Sequence, residues 1–147
     1  MGNYLCRRMP QQRRARAKKL SRRELRDLDV KITFLEGLTR RDPNYIDALQ
    51  ILGDHYTQRG RYHRSLQVDK RLSSLQPRNP LAFYNLACSH ALNGEFDLAA
   101  AALETAITLG YRDFRWLSKD PDLSGLRKHP LYRPLREKIR RMKIEIA

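Results

Sequence analysis

Residues 52–77, LGDHYTQRGRYHRSLQVDKRLSSLQP, return 34 positions later as residues 86–111, LACSHALNGEFDLAAAALETAITLGY. At that single offset Leu49 pairs with Phe83, Leu52 with Leu86, Gly53 with Ala87 and Tyr56 with His90. Beyond the turn, Gly60 pairs with Gly94, Tyr62 with Phe96, Ser65 with Ala99 and Leu72 with Ala106. With few exceptions bulk faces bulk, small faces small, and the turn glycine faces a glycine. A fixed period of this length is the signature of stacked helical hairpins, because one hairpin cannot bury its apolar face without a neighbour.

Working outward, each copy reads as two helices. Helix A of the first copy is expected over about 44–58 and helix B over about 62–75, with Gly60 at the turn. Pro77 and Asn79-Pro80 mark the exit, proline being tolerated in the first turn of the next helix. The second copy then gives helices over about 81–92 and 96–109, with Gly110 placed for a left-handed C-terminal cap. Small residues at Gly53/Ala87 and Ser65/Ala99 allow helices A and B to approach closely, and the large pairs fill the space between layers.

Before the repeat, Ser21-Arg22-Arg23-Glu24 fits a capping box, and Leu25, Leu28, Ile32, Leu35 and Leu38 form an apolar stripe at helical spacing. Asp42-Pro43 ends that helix, since the residue before proline is pushed out of the helical region. Carried back one period, Pro43 falls where Pro77 stands, so 21–41 reads as the second half of a repeat, covering the N-terminal edge. Carried forward, the period puts Pro121 mid-helix, at a cost of about 3 kcal/mol or more. A third copy is therefore excluded in that form. A short helix at 112–117, a turn through Asp120-Pro121 and a last helix from Pro130 to about Ile144 are expected instead.

The spacing L-G-x-x-Y…G-x-Y…(S/A)…P at Leu52-Gly53, Tyr56, Gly60, Tyr62, Ser65 and Pro77 resembles the tetratricopeptide repeat. The second copy departs at Ala87, His90 and Tyr111, within the degeneracy of that repeat. The phrase GYRDFRWLSKDPDLSGLRKHPLYRPL resembles the closing segment of bacterial tetratricopeptide arrays, and Trp116, Leu117, Leu123, Leu126, Tyr132 and Leu135 are expected to cover the last hairpin. The organisation predicted is a basic, mobile tail at 1–20, a capping helix at 21–41, repeats at 44–79 and 80–113, and a divergent cap at 114–147. The fold class is all-α: a short right-handed α-solenoid of antiparallel hairpins with capping helices.

Charge is distributed unevenly. Of a net +14, residues 1–23 carry nine Lys/Arg and no acid, and 127–147 carry eight against Glu137 and Glu145, while 24–126 is near neutral. No apolar run reaches the roughly 18–20 residues of a membrane span, and the N-terminus lacks the apolar region of a secretory signal. The tail reads as solvated; its rivals are a transit peptide, since it is Arg-rich and acid-free, and a myristoylation site at Gly2, against which Cys6 stands where Ser or Thr is wanted. The cytoplasm is the default location.

Chemistry-bearing patterns are sparse. Cys6 and Cys88 are too few for a disulfide framework or zinc site. His55, His63, His90 and His129 make no ligand-spaced pair, so no metal is expected. Cys88 and His90, two apart on a helix, point to different faces and cannot act as nucleophile and base. Asp120/Asp122 and Asp27/Asp29 are explained by turn and helix starts. With no phosphate loop either, no cofactor, no catalytic residue and no enzymatic activity are expected.

The resemblance implies a binding face built by helix A positions: Asp47, Gln50, Asp54, Thr57 and Gln58 in the first repeat, and Leu81, Tyr84, Asn85 and Cys88 in the second. Relatives that clamp a C-terminal carboxylate use Lys and Asn there; Asp47 and Asp54 would repel one, and Asn85 alone matches. The expected ligand is a short peptide or protein segment with a basic or apolar residue, gripped by a non-catalytic adaptor. The alternative is nucleic-acid or ribosome association through the basic ends, with Arg13, Arg14, Arg16, Lys18 and Lys19 as anionic-partner contacts. Leu135, Ile139, Met142 and Ile146 on the last helix fit either docking as a cap or an anionic membrane surface. Oligomeric state is open.

Overall fold

Ser21 starts the described helices as its spacing requires: its hydroxyl accepts from Glu24 N at 3.2 Å, and Glu24 Oε2 accepts from Ser21 N at 2.7 Å. The computed structural model describes residues 19–146. Helix α1 runs Arg22–Arg41, α2 Ile46–Arg59, α3 Tyr62–Leu75, α4 Pro80–Leu92 and α5 Phe96–Thr108. Four short elements follow, α6 Phe114–Leu117, a 3-10 turn Pro121–Leu123, α7 Ser124–Arg127 and a second 3-10 turn Pro130–Tyr132, before a last helix, α8 Arg133–Ile146. No strand occurs among the described residues, and each of α1 to α4 packs on the next. The protein is an all-α solenoid of helical hairpins.

The turn glycines do what the repeat demands. Gly60, Gly94 and Gly110 have φ of 81°, 74° and 116°, a region in which a Cβ meets the following carbonyl. Gly60 N donates to Thr57 O at 3.1 Å and Arg61 N to Tyr56 O at 2.8 Å, satisfying carbonyls at the end of α2. Asn79 caps α4 by accepting from Leu81 N at 3.0 Å, with Pro80 as first helical residue.

The apolar interior is in two parts. One joins Leu28, Ile32 and Leu35 of α1 to Leu49, Leu52, Tyr56 and Leu72 of the first hairpin. The other joins Ala87, Ala99, Leu103 and Ala106 of the second hairpin to Trp116, Leu117, Leu123 and Leu126 of the closing segment. Between them lies a buried polar seam. Thr57 and Ser65 hydroxyls share a hydrogen bond at 2.6 Å, Ser65 Oγ donates to Gly53 O at 3.2 Å and meets Ser89 Oγ at 3.4 Å, and Ser89 donates to the Asp69 carboxylate. Ser65, small enough for close helix approach, thus also meets Ser89 of the second hairpin, and Asp69 joins the same pair of hairpins through Ser89.

Helix α1 is held to the first hairpin by side-chain bonds as well as by its apolar stripe. Arg59 Nε donates to Asp29 Oδ1 at 2.7 Å, which holds the Asp29 carboxyl below its usual range against an opposing effect of burial, with the charges of Arg59 and Arg61 adding to it. Tyr56 Oη donates to Glu36 Oε1 at 2.5 Å, and Arg64 Nη1 reaches the same oxygen at 3.1 Å.

Candidate functional site

Helix A positions of the two hairpins meet different fates. On α2, Asp47 is exposed, Gln50, Asp54 and Gln58 are half-buried, and Thr57 is buried in the polar seam. On α4, Leu81 is half-buried, while Tyr84, Asn85 and Cys88 are buried. The expectation that Tyr84, Asn85, Cys88 and Thr57 line an open face is corrected by this burial. Tyr84 and Cys88 spend their polar atoms inside the closing segment, and Thr57 spends its own on Ser65. The surface left is Asp47, Gln50, Asp54 and Gln58 along α2, with Leu81 from α4.

The closing segment achieves this through one carboxylate. Asp120 is fully buried. Its Oδ2 accepts from Tyr84 Oη at 2.7 Å, Trp116 Nε1 at 3.0 Å and Cys88 Sγ at 3.7 Å, and its Oδ1 accepts from Asp122 N at 3.0 Å. Arg127 Nη1 donates to Asp120 O at 2.7 Å and Leu117 O at 3.0 Å, binding the turn from the other side. Burial, with the nearby Cys88 and Asp120, raises the Tyr84 phenol, and burial chiefly raises that of Tyr111, whose ring stacks on Tyr84 at 4.3 Å. Both phenols stay protonated. The spacing had explained Asp120 by its turn alone; it is also the post to which the second hairpin is tied.

Cys88, Asp120 and Asp122 bring ligand-type atoms within 4.8 Å of one another. The arrangement does not suit a cation. A hydroxyl, an indole N–H, a thiol and an amide all point hydrogens at the Asp120 carboxylate, so its lone pairs are engaged by donors that no metal could displace without orphaning them. The cluster is a lock between α4 and the closing segment.

Asp113 and His129 repeat the device: Asp113 Oδ1 accepts from Trp116 N at 3.0 Å and His129 Nδ1 from Leu131 N at 3.2 Å. Three side-chain caps, at Asp113, Asp120 and His129, thus start three short turns where a regular third hairpin is barred by Pro121. His55, on α2 beside Asp54, has a buried Nδ1 with no hydrogen-bond partner. Its pKa is lowered by burial and by the charge of Lys31, against the pull of Asp54.

At the basic ends, Arg13, Arg14, Arg16 and Lys18 lie outside the described residues, as does nearly all of the tail expected at 1–20; Lys19 is exposed. On α8, Leu135 and Ile139 are buried in the second apolar cluster and Met142 packs against it, so Leu135 and Ile139 are not offered to a membrane. No described helix is long and apolar enough to cross one.

No family model matches the chain. It is 31% identical over 86 residues to a chloroplastic protein of Arabidopsis thaliana, covering 56% of this chain and 26% of that one. It is 33% identical over 92 residues to the peroxisomal targeting signal receptor of Komagataella phaffii, covering 61% of this chain and 16% of the receptor, and equally to that of Komagataella pastoris. The chain therefore spans about a quarter or less of the length of these curated relatives. These similarities support tetratricopeptide-like repeats in a chain whose helices pack as consecutive hairpins.

Proposed function

We propose that the protein is a non-catalytic adaptor that takes a peptide or protein segment along the exposed side of α2, with Asp47 and Asp54 recognising a basic residue and Leu81 an apolar one. The observation that carries this reading is the asymmetry of the helix A positions. On α4, Tyr84 and Cys88 are closed by their bonds to Asp120 and Asn85 is buried, which leaves Leu81 half-buried, whereas Asp47, Gln50, Asp54 and Gln58 of α2 reach the surface on one helical face. Carboxylates at i and i+7 on such a face lie two turns, or about 10 Å, apart, the scale of a short segment lying along the helix. The name of one relative, a receptor for a targeting signal, supports recognition of protein by protein in general.

The test is charge reversal, Asp47→Lys with Asp54→Lys, read by fluorescence anisotropy against labelled peptides carrying Arg or Lys next to Leu or Phe. Affinity should fall at least tenfold while the melting temperature holds. Equal affinity in parent and variant would remove the α2 face from the reading.

A further inference from the structure

A cavity of ≈ 290 Å³ opens at the far end of the molecule, between α6, the Pro130–Tyr132 turn and α8. Its floor is apolar and already packed: Phe114, Leu117, Tyr132 and Ile139 line it, each less than a tenth exposed. Its rim is cationic. Arg136, Arg140 and Lys143 stand along one face of α8, at the spacing of four and three that aligns side chains on a helix, and Arg127 lines the same cavity. No acid lines it. Among the described residues none of these four cations forms an ion pair.

Two of the four are pre-positioned. Arg127 is held by the carbonyls of Leu117 and Asp120, and Arg136 lies over the Tyr132 ring with its guanidinium carbon 5.5 Å from the centroid. The four cations line a pocket that no acid lines, an arrangement that favours an anion. Guanidinium groups match carboxylates by parallel N–H donors, and an apolar floor excludes water around such contacts.

We infer that this cleft is a second binding site, for an acidic segment of a protein partner that places an apolar side chain on the floor and its Asp or Glu carboxylates on the Arg136–Arg140–Lys143 rim. A nucleic acid fits less well. Phe114 and Tyr132 are too buried to offer a face to a base, and one face of Tyr132 is taken by Arg136. A lipid surface fits less well too, because a helix lying on a membrane needs its apolar stripe outward, and Leu135 and Ile139 are turned into the cap. The cavity is about the size of the smallest ligand pockets, which matches one anchoring side chain of a peptide. The chain would then carry two sites of opposite charge, an acidic face on α2 and a basic cleft at α8.

The test uses the full chain at low salt with fluorescein-labelled peptides alternating Glu with Leu or Phe, the same peptides with Gln for Glu, single-stranded RNA, and phosphatidylserine vesicles. Expected is binding of the Glu peptides, weakened at least tenfold by Gln or by Arg136→Glu with Arg140→Glu. These two positions are exposed, so the fold should survive, which circular dichroism checks. Asp47→Lys with Asp54→Lys should leave this binding intact, which separates it from the α2 reading. The inference is overturned if no Glu peptide binds, or if the Arg136→Glu/Arg140→Glu variant binds as the parent does, the mark of binding elsewhere on the chain. It is overturned equally if these two arginines serve RNA or vesicles and not the peptides.

Discussion

Asp120→Asn is the most exacting perturbation of the closed second hairpin. The two oxygens of Asp120 accept from four donors: Tyr84, Trp116 and Cys88 on Oδ2, and the amide of Asp122 on Oδ1. Asparagine keeps the shape but replaces one acceptor with an N–H₂ group. If its oxygen stays toward Tyr84 and Trp116, the amide faces the Asp122 N–H, donor against donor. If it flips, Trp116 loses its acceptor, and an indole N–H cannot reverse its role. Either way at least one buried donor is stranded, at about 1–3 kcal/mol, and the bonds that remain are no longer charge-assisted. A net loss of roughly 2–3 kcal/mol corresponds to a fall in melting temperature of roughly 6–12 °C for a chain of this size. Asp120→Ala, which strands all the donors, should cost more, about 3–5 kcal/mol by analogy with breaking a buried charge pair. Thermal and urea unfolding followed by circular dichroism measure the loss. Trp116 is the sole tryptophan, so its emission reports on the same contact. An Asp120→Asn variant that melts with the parent and keeps its Trp116 emission would refute the lock.

Other perturbations follow from the packing and charge. Ala99 is fully buried, so Ala99→Leu should overpack the α4–α5 contact by about 1–3 kcal/mol; a parental urea midpoint would count against the small-residue register. A Cβ at Gly125 would lie 2.9 Å from the Phe96 ring, so Gly125→Ala should lower the melting temperature and disturb the Phe96–His129 pair, which sits at 5.0 Å. NMR shifts of the His129 ring detect that change, and unaltered shifts would contradict the contact. His55 has its folded pKa depressed below 6.5, chiefly by burial. The unfolded chain therefore takes up its proton first: stability is full above pH 6.5 and declines as pH falls through the folded value. His55→Gln should flatten that part of the urea-midpoint profile between about pH 7.5 and 5, and an unchanged slope would exclude His55 as the cause.

The sequence by itself determined the hairpins and where they stop. An offset of 34 with glycine facing glycine at Gly60 and Gly94 is local information: it follows from helical periodicity and from a backbone region that disfavours side chains. Pro121 barred a third copy for an equally local reason, a missing N–H and a ring clash. The capping box at Ser21 and Glu24 also needs only four consecutive residues.

Which of the proposed binding positions reach the surface was legible only in part, because exposure is decided by what packs on a helix from far along the chain. Gln50 and Tyr84 stand at equivalent positions of the two repeats, yet one reaches the surface and the other is buried under a carboxylate 36 residues away. Periodicity gives the face a residue occupies on its own helix and says nothing of that partner. The same holds for Asp69, an acid on the buried stripe of α3 whose partner, Ser89, belongs to the next hairpin. It holds also for the cleft at α8, where the charge of 127–147 was plain in the sequence. Only the docking of Leu135 and Ile139 onto the closing segment turns Arg136, Arg140 and Lys143 toward one apolar hollow, because burial of the stripe fixes the rotation of the helix and so the direction of its cations.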